Sequence, residues 1–274
     1  MKCSTYHKDK GDIVGFSVND PEMVYVSCIF DWNATKAKNI AFWYRSIGCK
    51  VDLGGSGINL EFNYEIDNCY PDYSLYTMDY DLGFSSRGCN RKCGFCIVPG
   101  KEGHFRTVQG INDWHDPTHK KVVFMDNNIL FDKEWFLVQT QYCLDNRLKV
   151  DFNQGLDVRL IDEEICKRLR ELMPIKRWRI AFDTLSYKTD VIRAVGMMVK
   201  SGIKVRSNVI CYVYLSGDDD IESAIERCNI LKRLNVQPYI MVNRHAPKSQ
   251  KITDLKRWAR PAIFWKTDFE GYKR

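Results

Sequence analysis

The chain has 274 residues, of which 45% are hydrophobic and 28% are charged, and no apolar run approaches the roughly 18 residues of a membrane-spanning helix. This composition excludes a disordered polypeptide, and the length suffices for one large domain with a small companion. The first ten residues lack the apolar core of a secretory signal, so we expect a cytoplasmic location.

The formal net charge of +6 is unevenly distributed along the chain. Residues 1–80 carry seven Lys and Arg against eleven Asp and Glu, a net of −4, whereas residues 232–274 carry eleven against three, a net of +8. A local excess of cations is typical of proteins that bind a polyanion, and a merely solvated basic face is an equally good interpretation. Nucleic acid is therefore a candidate partner of the basic C-terminal stretch.

The eleven cysteines do not form the framework of a disulfide-rich domain. They are spread from Cys3 to Cys228, and their number is odd. We expect reduced thiols, most of them buried as small apolar side chains. Only cysteines with the spacing of metal ligands are candidates for chemistry.

The first predicted unit, residues 1–80, is a small α/β domain. A β-rich apolar run at 22–30 is followed by a helical pattern at 34–47 and by a second strand that ends at Gly54 and Gly55. Strand, helix and strand predict a βαβ unit. Its glycine turn could approach a phosphate or a cofactor, although a plain loop is the commoner role of such a turn.

From residue 81 onward, strands and helices alternate. The six predicted strands are 82–86, 121–125, 148–152, 177–182, 203–212 and 237–242, and the helical patterns between them are 132–144, 162–172, 187–201 and 218–234. Such βα repeats predict an α/β fold, a partial (βα)6 TIM-like barrel over 81–245, with a basic C-terminal extension at 246–274. In this architecture, functional residues follow the C-terminal ends of the strands.

A cysteine motif follows the first of these strands. Cys89, Cys93 and Cys96 have the spacing CxxxCxxC in one short loop. Because a cubane cluster normally takes four thiolates, three cysteines leave one iron open to a small molecule, and we interpret the motif as a [4Fe–4S] site. A structural zinc site would need a second ligand pair, and none is evident in the sequence; a thioredoxin-like redox pair would not need Cys89.

The run from Gly88 through the three cysteines to Pro99 resembles the signature loop of the radical S-adenosylmethionine (SAM) superfamily, and the resemblance covers about residues 80–245. The run is especially similar to the methylthiotransferase and cobalamin-binding-domain branches. The resemblance implies an enzyme whose [4Fe–4S] cluster, held by Cys89, Cys93 and Cys96, cleaves SAM to a 5′-deoxyadenosyl radical that modifies a substrate. It also implies a reductant protein of the flavodoxin or ferredoxin type.

The resemblance further implies which side chains contact SAM. Phe95 corresponds to an aromatic residue near the adenine, and Met241 lies in a stretch similar to the adenine-lining sixth strand. The polar candidates at the strand ends are Asp126, Asn127, Asn153, Gln154, Asp183 and Asn208. Each polar candidate has an ordinary alternative role as a loop cap or turn residue.

The chain also departs from both branches. Cys28, Cys49 and Cys69 could serve the second cluster of a methylthiotransferase, but isolated cysteines are usually packing residues. The βαβ segment resembles a shortened, degenerate cobalamin-binding domain that lacks the Asp-x-His-x-x-Gly motif, so we expect no cobalamin. The open hypotheses are an enzyme acting on a peptide or metabolite, an enzyme that modifies nucleic acid or nucleotides, and a catalytically silent iron–sulfur partner protein.

Overall fold

The computed structural model describes residues 1–59, 61 and 63–272. The chain divides into two compact units, one formed by residues 1–78 and 95–101 and the other by residues 79–94 and 102–274. No helix in the described part of the chain is long and apolar enough to cross a membrane.

The first unit is built on two parallel strands joined by a helix. Its elements are α1 (Lys2–Lys8), β1 (Met23–Ser27), α2 (Ala34–Ser46), β2 (Lys50–Gly54) and α3 (Tyr64–Asp67). β1 and β2 pair from Met23 opposite Lys50 to Ser27 opposite Gly54. Ala37 and Ala41, one helical turn apart, are the buried residues of α2. The predicted βαβ unit is confirmed.

The rest of the chain contains short and long elements of both kinds. The strands are β3 (Asp81–Gly83), β4 (Ser86–Arg87), β5 (Arg106–Thr107), β6 (Lys121–Phe124), β7 (Lys149–Phe152), β8 (Met173–Pro174), β9 (Trp178–Ala181), β10 (Val209–Leu215) and β11 (Gln237–Val242). The helices are α4 (Val98–Glu102), α5 (Lys133–Asp145), α6 (Glu163–Glu171), α7 (Lys188–Lys200), α8 (Val205–Asn208), α9 (Ile221–Arg233), α10 (Gln250–Trp258) and α11 (Pro261–Phe264).

The main strands of the second unit are parallel. One sheet has the order β3-β6-β7-β8 and another the order β9-β10-β11, while β4 and β5 form an antiparallel pair. A parallel bridge between Leu156, just after β7, and Ile180 in β9 joins the two sheets. The predicted α/β class with parallel sheets is confirmed. The partial barrel stays a proposal, because the paired strands form two sheets and not one closed layer.

The sheets are buried on one face. Along β10, buried Val209, Cys211, Val213 and Leu215 alternate with partly exposed residues at 210, 212 and 214. In a parallel sheet that is covered on both faces, the residues of each strand are almost continuously buried and apolar. The alternation along β10 therefore indicates that one face of this strand is covered and the other is accessible.

Four of the buried cysteines belong to the helices and strands of this core. Burial raises the pKa of Cys143 and of Cys228 to about 12, that of Cys166 to about 11, and that of Cys211 well above its ordinary value. Because the thiolate is the reactive form, these four side chains act as packing groups.

Two strands were predicted with the wrong bounds. The strand expected at 82–86 ends at Gly83, and Ser86 belongs to the separate antiparallel strand β4. The strand expected at 203–212 begins only at Val209 and continues to Leu215, and α8 occupies the preceding residues. The Ser207 hydroxyl lies within hydrogen-bond distance of two acceptors, the Lys204 carbonyl oxygen and Asn208 Oδ1, so local side-chain hydrogen bonding favours a turn over the β-propensity of this stretch.

A buried arginine ties α9 to the ends of two strands. Arg227 donates to the carbonyls of Phe182, Asp183 and Tyr214 at 2.8–3.1 Å. Its Nη2 lies 3.0 Å from each carboxylate oxygen of Asp220. The guanidinium therefore satisfies carbonyls in and just after strands that would otherwise be buried without donors.

Replacing Arg227 with Met should lower the free energy of unfolding by about 3 kcal/mol or more, because Asp220 and three carbonyls lose their shared donor. Urea unfolding followed by circular dichroism measures the change. Arg233→Met, at an exposed position on the same helix, is the matched control and should stay within about 0.5 kcal/mol of wild type. Equal losses in the two variants would contradict the role given to Arg227.

Candidate functional site

The cysteine loop is anchored where β3 ends. The carboxylate of Asp126, which follows β6 and is 3% exposed, accepts hydrogen bonds from the backbone N–H and the hydroxyl of both Ser85 and Ser86 at 2.5–3.0 Å. Burial raises the pKa of Asp126, while these four hydrogen bonds favour its ionised form. Asp126 thereby joins the end of β6 to the segment that leads into the loop.

The chain turns sharply just before the first cysteine. Gly88 has a φ of +75°, and a Cβ at this position would lie 2.1 Å from the carbonyl oxygen of His104. The Cys89 N–H then donates to the Gly103 carbonyl at 3.1 Å. Only glycine fits this left-handed turn and the close approach of the 103–104 backbone.

Glu102 fixes the same turn from another side. Its carboxylate accepts from Arg87 at 3.1 Å, from the Gly88 N–H at 3.2 Å and from the Asn127 amide at 2.7 Å. Asn127, a predicted SAM contact, thus contributes to holding the loop.

The Cys89 sulfur receives two N–H donors. The Arg91 N–H lies 3.4 Å from the sulfur and the Asn128 side-chain nitrogen 3.9 Å from it. Asn128 is 5% exposed, and its Oδ1 has no hydrogen-bond partner among the described residues. Sequence reasoning did not single out Asn128, although it directly follows two candidates, Asp126 and Asn127.

Asp157 connects this loop to the end of the third main strand. Its carboxylate accepts from Arg91 Nε at 3.1 Å, from the Asn128 amide at 3.3 Å, and from Arg159 at 2.6 and 2.8 Å. Burial opposes ionisation, but the hydrogen bonds and charge of Arg159 and the charge of Arg91 hold the pKa of Asp157 below its ordinary value. Asp157 was not among the predicted site residues, and its only signal in the sequence is its place shortly after a strand end.

A cation also lies near the second cysteine. The pKa of Arg159 is raised. Burial by itself would lower it, but the hydrogen bond and the charge of Asp157 have a larger effect, and the charge of Cys93 acts in the same direction as Asp157. A guanidinium near a sulfur stabilises negative charge on that sulfur. Sulfurs that accept N–H donors suit an iron–sulfur cluster, so the surroundings of Cys89 fit the predicted cofactor.

The structure does not assemble a metal site by itself. Among residues 1–59, 61 and 63–272, no group of three or more His, Cys, Asp or Glu side chains is arranged to hold a metal ion. Cys96 and Phe95 are exposed and belong to residues 95–101, which are part of the first unit.

The other predicted SAM contacts are distributed over several strand ends. Asn153 and Gln154 follow β7, where the Asn153 amide contacts the Met125 sulfur at 3.6 Å. Asp183 follows β9, and burial raises the pKa of its carboxyl. Met241 lies within β11 and is exposed.

Asn208 is the exception among these candidates. Its placement at a strand's C-terminal end depended on the strand predicted at 203–212, which was wrong. Asn208 immediately precedes β10, so it lies at the amino end of a parallel strand, the edge opposite the one that carries Asp183 and Asn153.

Replacing Gly88 with Ala should loosen the loop, because a left-handed φ and a backbone clash together cost about 1–3 kcal/mol. We expect trypsin to cleave after Arg91 and Lys92 about tenfold faster than in wild type, as local opening becomes more frequent. Gly94→Ala is the matched control, since a Cβ there meets no atom within 4 Å. Faster cleavage in both variants, or in neither, would contradict the steric requirement at Gly88.

Comparisons with known proteins give no family for the chain. No family model matches it, and no curated protein matches it. Among solved structures, a match is the crystal structure of Streptococcus suis SuiB bound to precursor peptide SuiA, with 13% sequence identity and a TM-score of 0.45. The match covers 77% of this chain and 52% of the SuiB chain, so the chain spans about half the length of that protein. Function is therefore inferred from the residues of the chain.

Proposed function

We propose that this protein is a radical SAM enzyme in which Cys89, Cys93 and Cys96 hold one [4Fe–4S] cluster. The observation that carries the proposal is the CxxxCxxC loop that follows β3 and β4, next to the C-terminal end of β6 and fixed by three carboxylates, those of Asp126, Glu102 and Asp157. When bound, the cluster and SAM supply a one-electron cleavage that yields methionine and a 5′-deoxyadenosyl radical.

The residues around the loop have distinct roles in this proposal. The Asn128 amide and the Arg91 N–H are hydrogen-bond donors to the Cys89 sulfur, and N–H donors of this kind tune the sulfurs of iron–sulfur clusters. Asp157 positions Arg91 and Arg159. Arg159 adds a positive charge near Cys93.

The proposed architecture is a partial barrel in which β3, β6, β7, β9, β10 and β11 follow one another. Neighbouring strands pair in this order within each sheet, and the bridge from Leu156 to Ile180 lies at the step from β7 to β9. SAM would then lie at the C-terminal ends of the strands, where we retain Asn153, Gln154 and Asp183 as contacts, with Phe95 and Met241 at the adenine. Asp126 and Asn127 are reassigned to holding the loop.

Anaerobic reconstitution should give about four irons per chain, and the cysteine variants identify the ligands. Alanine at Cys89, Cys93 or Cys96 should abolish iron binding, whereas Cys143→Ala and Cys228→Ala, which alter buried packing thiols, should retain it. Iron assays and electron paramagnetic resonance spectra give the readout. About eight irons would instead support a second cluster on Cys28, Cys49 and Cys69.

Enzymatic activity is tested separately from cluster binding. The reconstituted wild type, supplied with dithionite and SAM, should release 5′-deoxyadenosine, and the three loop variants should not. A fully loaded cluster without release of 5′-deoxyadenosine would contradict the proposed enzymatic activity. The catalytically silent iron–sulfur partner protein would then be the better hypothesis.

A second candidate, an enzyme whose substrate is nucleic acid, is favoured by the outer surface of α10. Its apolar residues Ile252, Leu255 and Trp258 are buried, and the Trp258 indole N–H donates to the Thr267 carbonyl at 2.9 Å. The exposed cations in and beside this helix, which we call the basic face, are Lys251, Lys256 and Arg257 within α10, Lys248 before it and Arg260 after it. Trp258 is thus a core residue, and any polyanion contact belongs to these five side chains.

Changing Lys256, Arg257 and Arg260 together to Gln should weaken RNA or DNA binding and reduce the salt slope, log Kd against log salt, by about 2–3 units. Fluorescence anisotropy at low and moderate salt measures both quantities. The matched control changes three exposed lysines on α6 and α7, Lys167, Lys188 and Lys200, to Gln. If the two triple variants behave alike, the basic face has no specific role, and a peptide or metabolite becomes the preferred substrate.

A further inference from the structure

The helix α2 of the first unit carries an exposed aromatic stripe. A groove of about 750 Å³ runs along it, lined among others by Trp32, Thr35, Lys36, Asn39, Ile40 and Trp43. These positions recur at intervals of three and four residues, which places them on one side of the helix. Trp32 is 47% exposed and Trp43 is 56% exposed.

This stripe is not the core face of the helix. The buried residues of α2 are Ala37 and Ala41, on a different side. The exposed apolar surface also extends beyond the groove to Ile29 and Phe30 before the helix. A continuous exposed apolar surface that includes several aromatic rings is typical of an interaction site.

The groove is lined by one cation and by no acidic residue. Lys36 is the charged side chain among the lining residues, which are otherwise apolar or neutral and polar. The surrounding stretch, residues 1–80, is acidic, with seven Lys and Arg against eleven Asp and Glu. A ligand that carries negative charge therefore complements the groove.

We propose that the groove binds single-stranded nucleic acid, with bases stacked on the indoles of Trp32 and Trp43 and a phosphate near Lys36. Aromatic rings combined with cations are the usual means of binding single strands without sequence preference. The Phe30 ring stacks on Trp32 with centroids 4.3 Å apart and planes 9° apart, which fixes the orientation of that indole.

The spacing along the helix agrees with an extended ligand. Trp43 lies in α2 and Trp32 lies two residues before that helix, so the two indoles are eleven positions apart, and Thr35 and Asn39 supply hydrogen-bonding groups between them. An acidic peptide would satisfy the charge but would offer no planar bases to stack on Trp32 and Trp43. The proposal does not rest on the radical chemistry, because binding requires neither iron nor SAM.

The test is fluorescence anisotropy with labelled 12-residue oligo(dT) and oligo(U) at low and moderate salt, using the full chain without iron. The background is the variant in which Lys256, Arg257 and Arg260 are Gln, so that the basic face contributes less. Trp43→Ala should weaken binding about fivefold to a hundredfold, as expected for the loss of one stacked base. Lys36→Gln should reduce the salt slope by about one.

Phe42→Ala is the matched control, since Phe42 is an aromatic residue of the same helix, is 73% exposed, and does not line the groove. Its affinity should stay within about twofold of the background. Circular dichroism establishes that each variant is folded, and Lys36→Gln, at an exposed position, remains informative if Trp43→Ala does not fold.

Three results would overturn the proposal. The first is the absence of oligonucleotide binding at low salt, and the second is an equal loss of affinity in Trp43→Ala and Phe42→Ala. The third is competition by a 12-residue poly-Glu peptide as effective as that by unlabelled oligo(dT), which would assign the groove to acidic peptides. A failure to make 5′-deoxyadenosine would leave this proposal unaffected, because the two properties are measured separately.

Discussion

The carboxylate of Asp157 brings together three segments that are far apart in the sequence: the cysteine loop through Arg91, the stretch after β6 through Asn128, and its own loop after β7 through Arg159. A buried carboxylate is stable only if its hydrogen-bonding capacity is used and its charge is balanced. The loop that carries Cys89 and Cys93 is held at the C-terminal ends of β6 and β7 because Arg91 completes the set of partners that Asp157 also finds in Asn128 and Arg159. Asp126 and Glu102 impose the same constraint from the side of β3.

This arrangement explains why polar residues after strands are ambiguous in sequence. Asp126 and Asn127 have the positions expected of SAM contacts, yet each makes hydrogen bonds that hold the protein loop. A site that must place a cluster and a small molecule precisely needs such supporting residues as much as direct contacts. The position of a polar residue after a strand identifies the edge of the sheet at which the proposed site lies. Its hydrogen-bond partners then decide whether the side chain holds the protein loop or remains available to a ligand.

Features that depend on residues close in the sequence were predicted better than features that depend on residues far apart in it. α6 and α9 were predicted to within a few residues, because their amphipathic spacing, the Asp162 cap and the acidic first turns are local signals. The prediction of a strand at 203–212 was wrong because Ser207 and Asn208 form a local hydrogen bond that the pattern of hydrophobic residues does not reveal. The role of Asp157 depends on Arg91, 66 positions away, and no local pattern reports such a pairing. The aromatic stripe of α2 was also missed, although its signal is local, because large apolar residues on a helix are usually interpreted as core residues.

The open face of the second unit adds a requirement to the proposed chemistry. Arg179 of β9 forms an ion pair with Asp151 of β7, which ties the two sheets together on the partly exposed side of these strands. Tyr212 and Tyr239 stack edge to face nearby along β10 and β11, and burial raises the pKa of Tyr212. Under the proposed function, a carbon radical would have to be kept from competing hydrogen donors. Tyr239 and Met241 are exposed on this face, so the proposed chemistry would require that a bound group cover them.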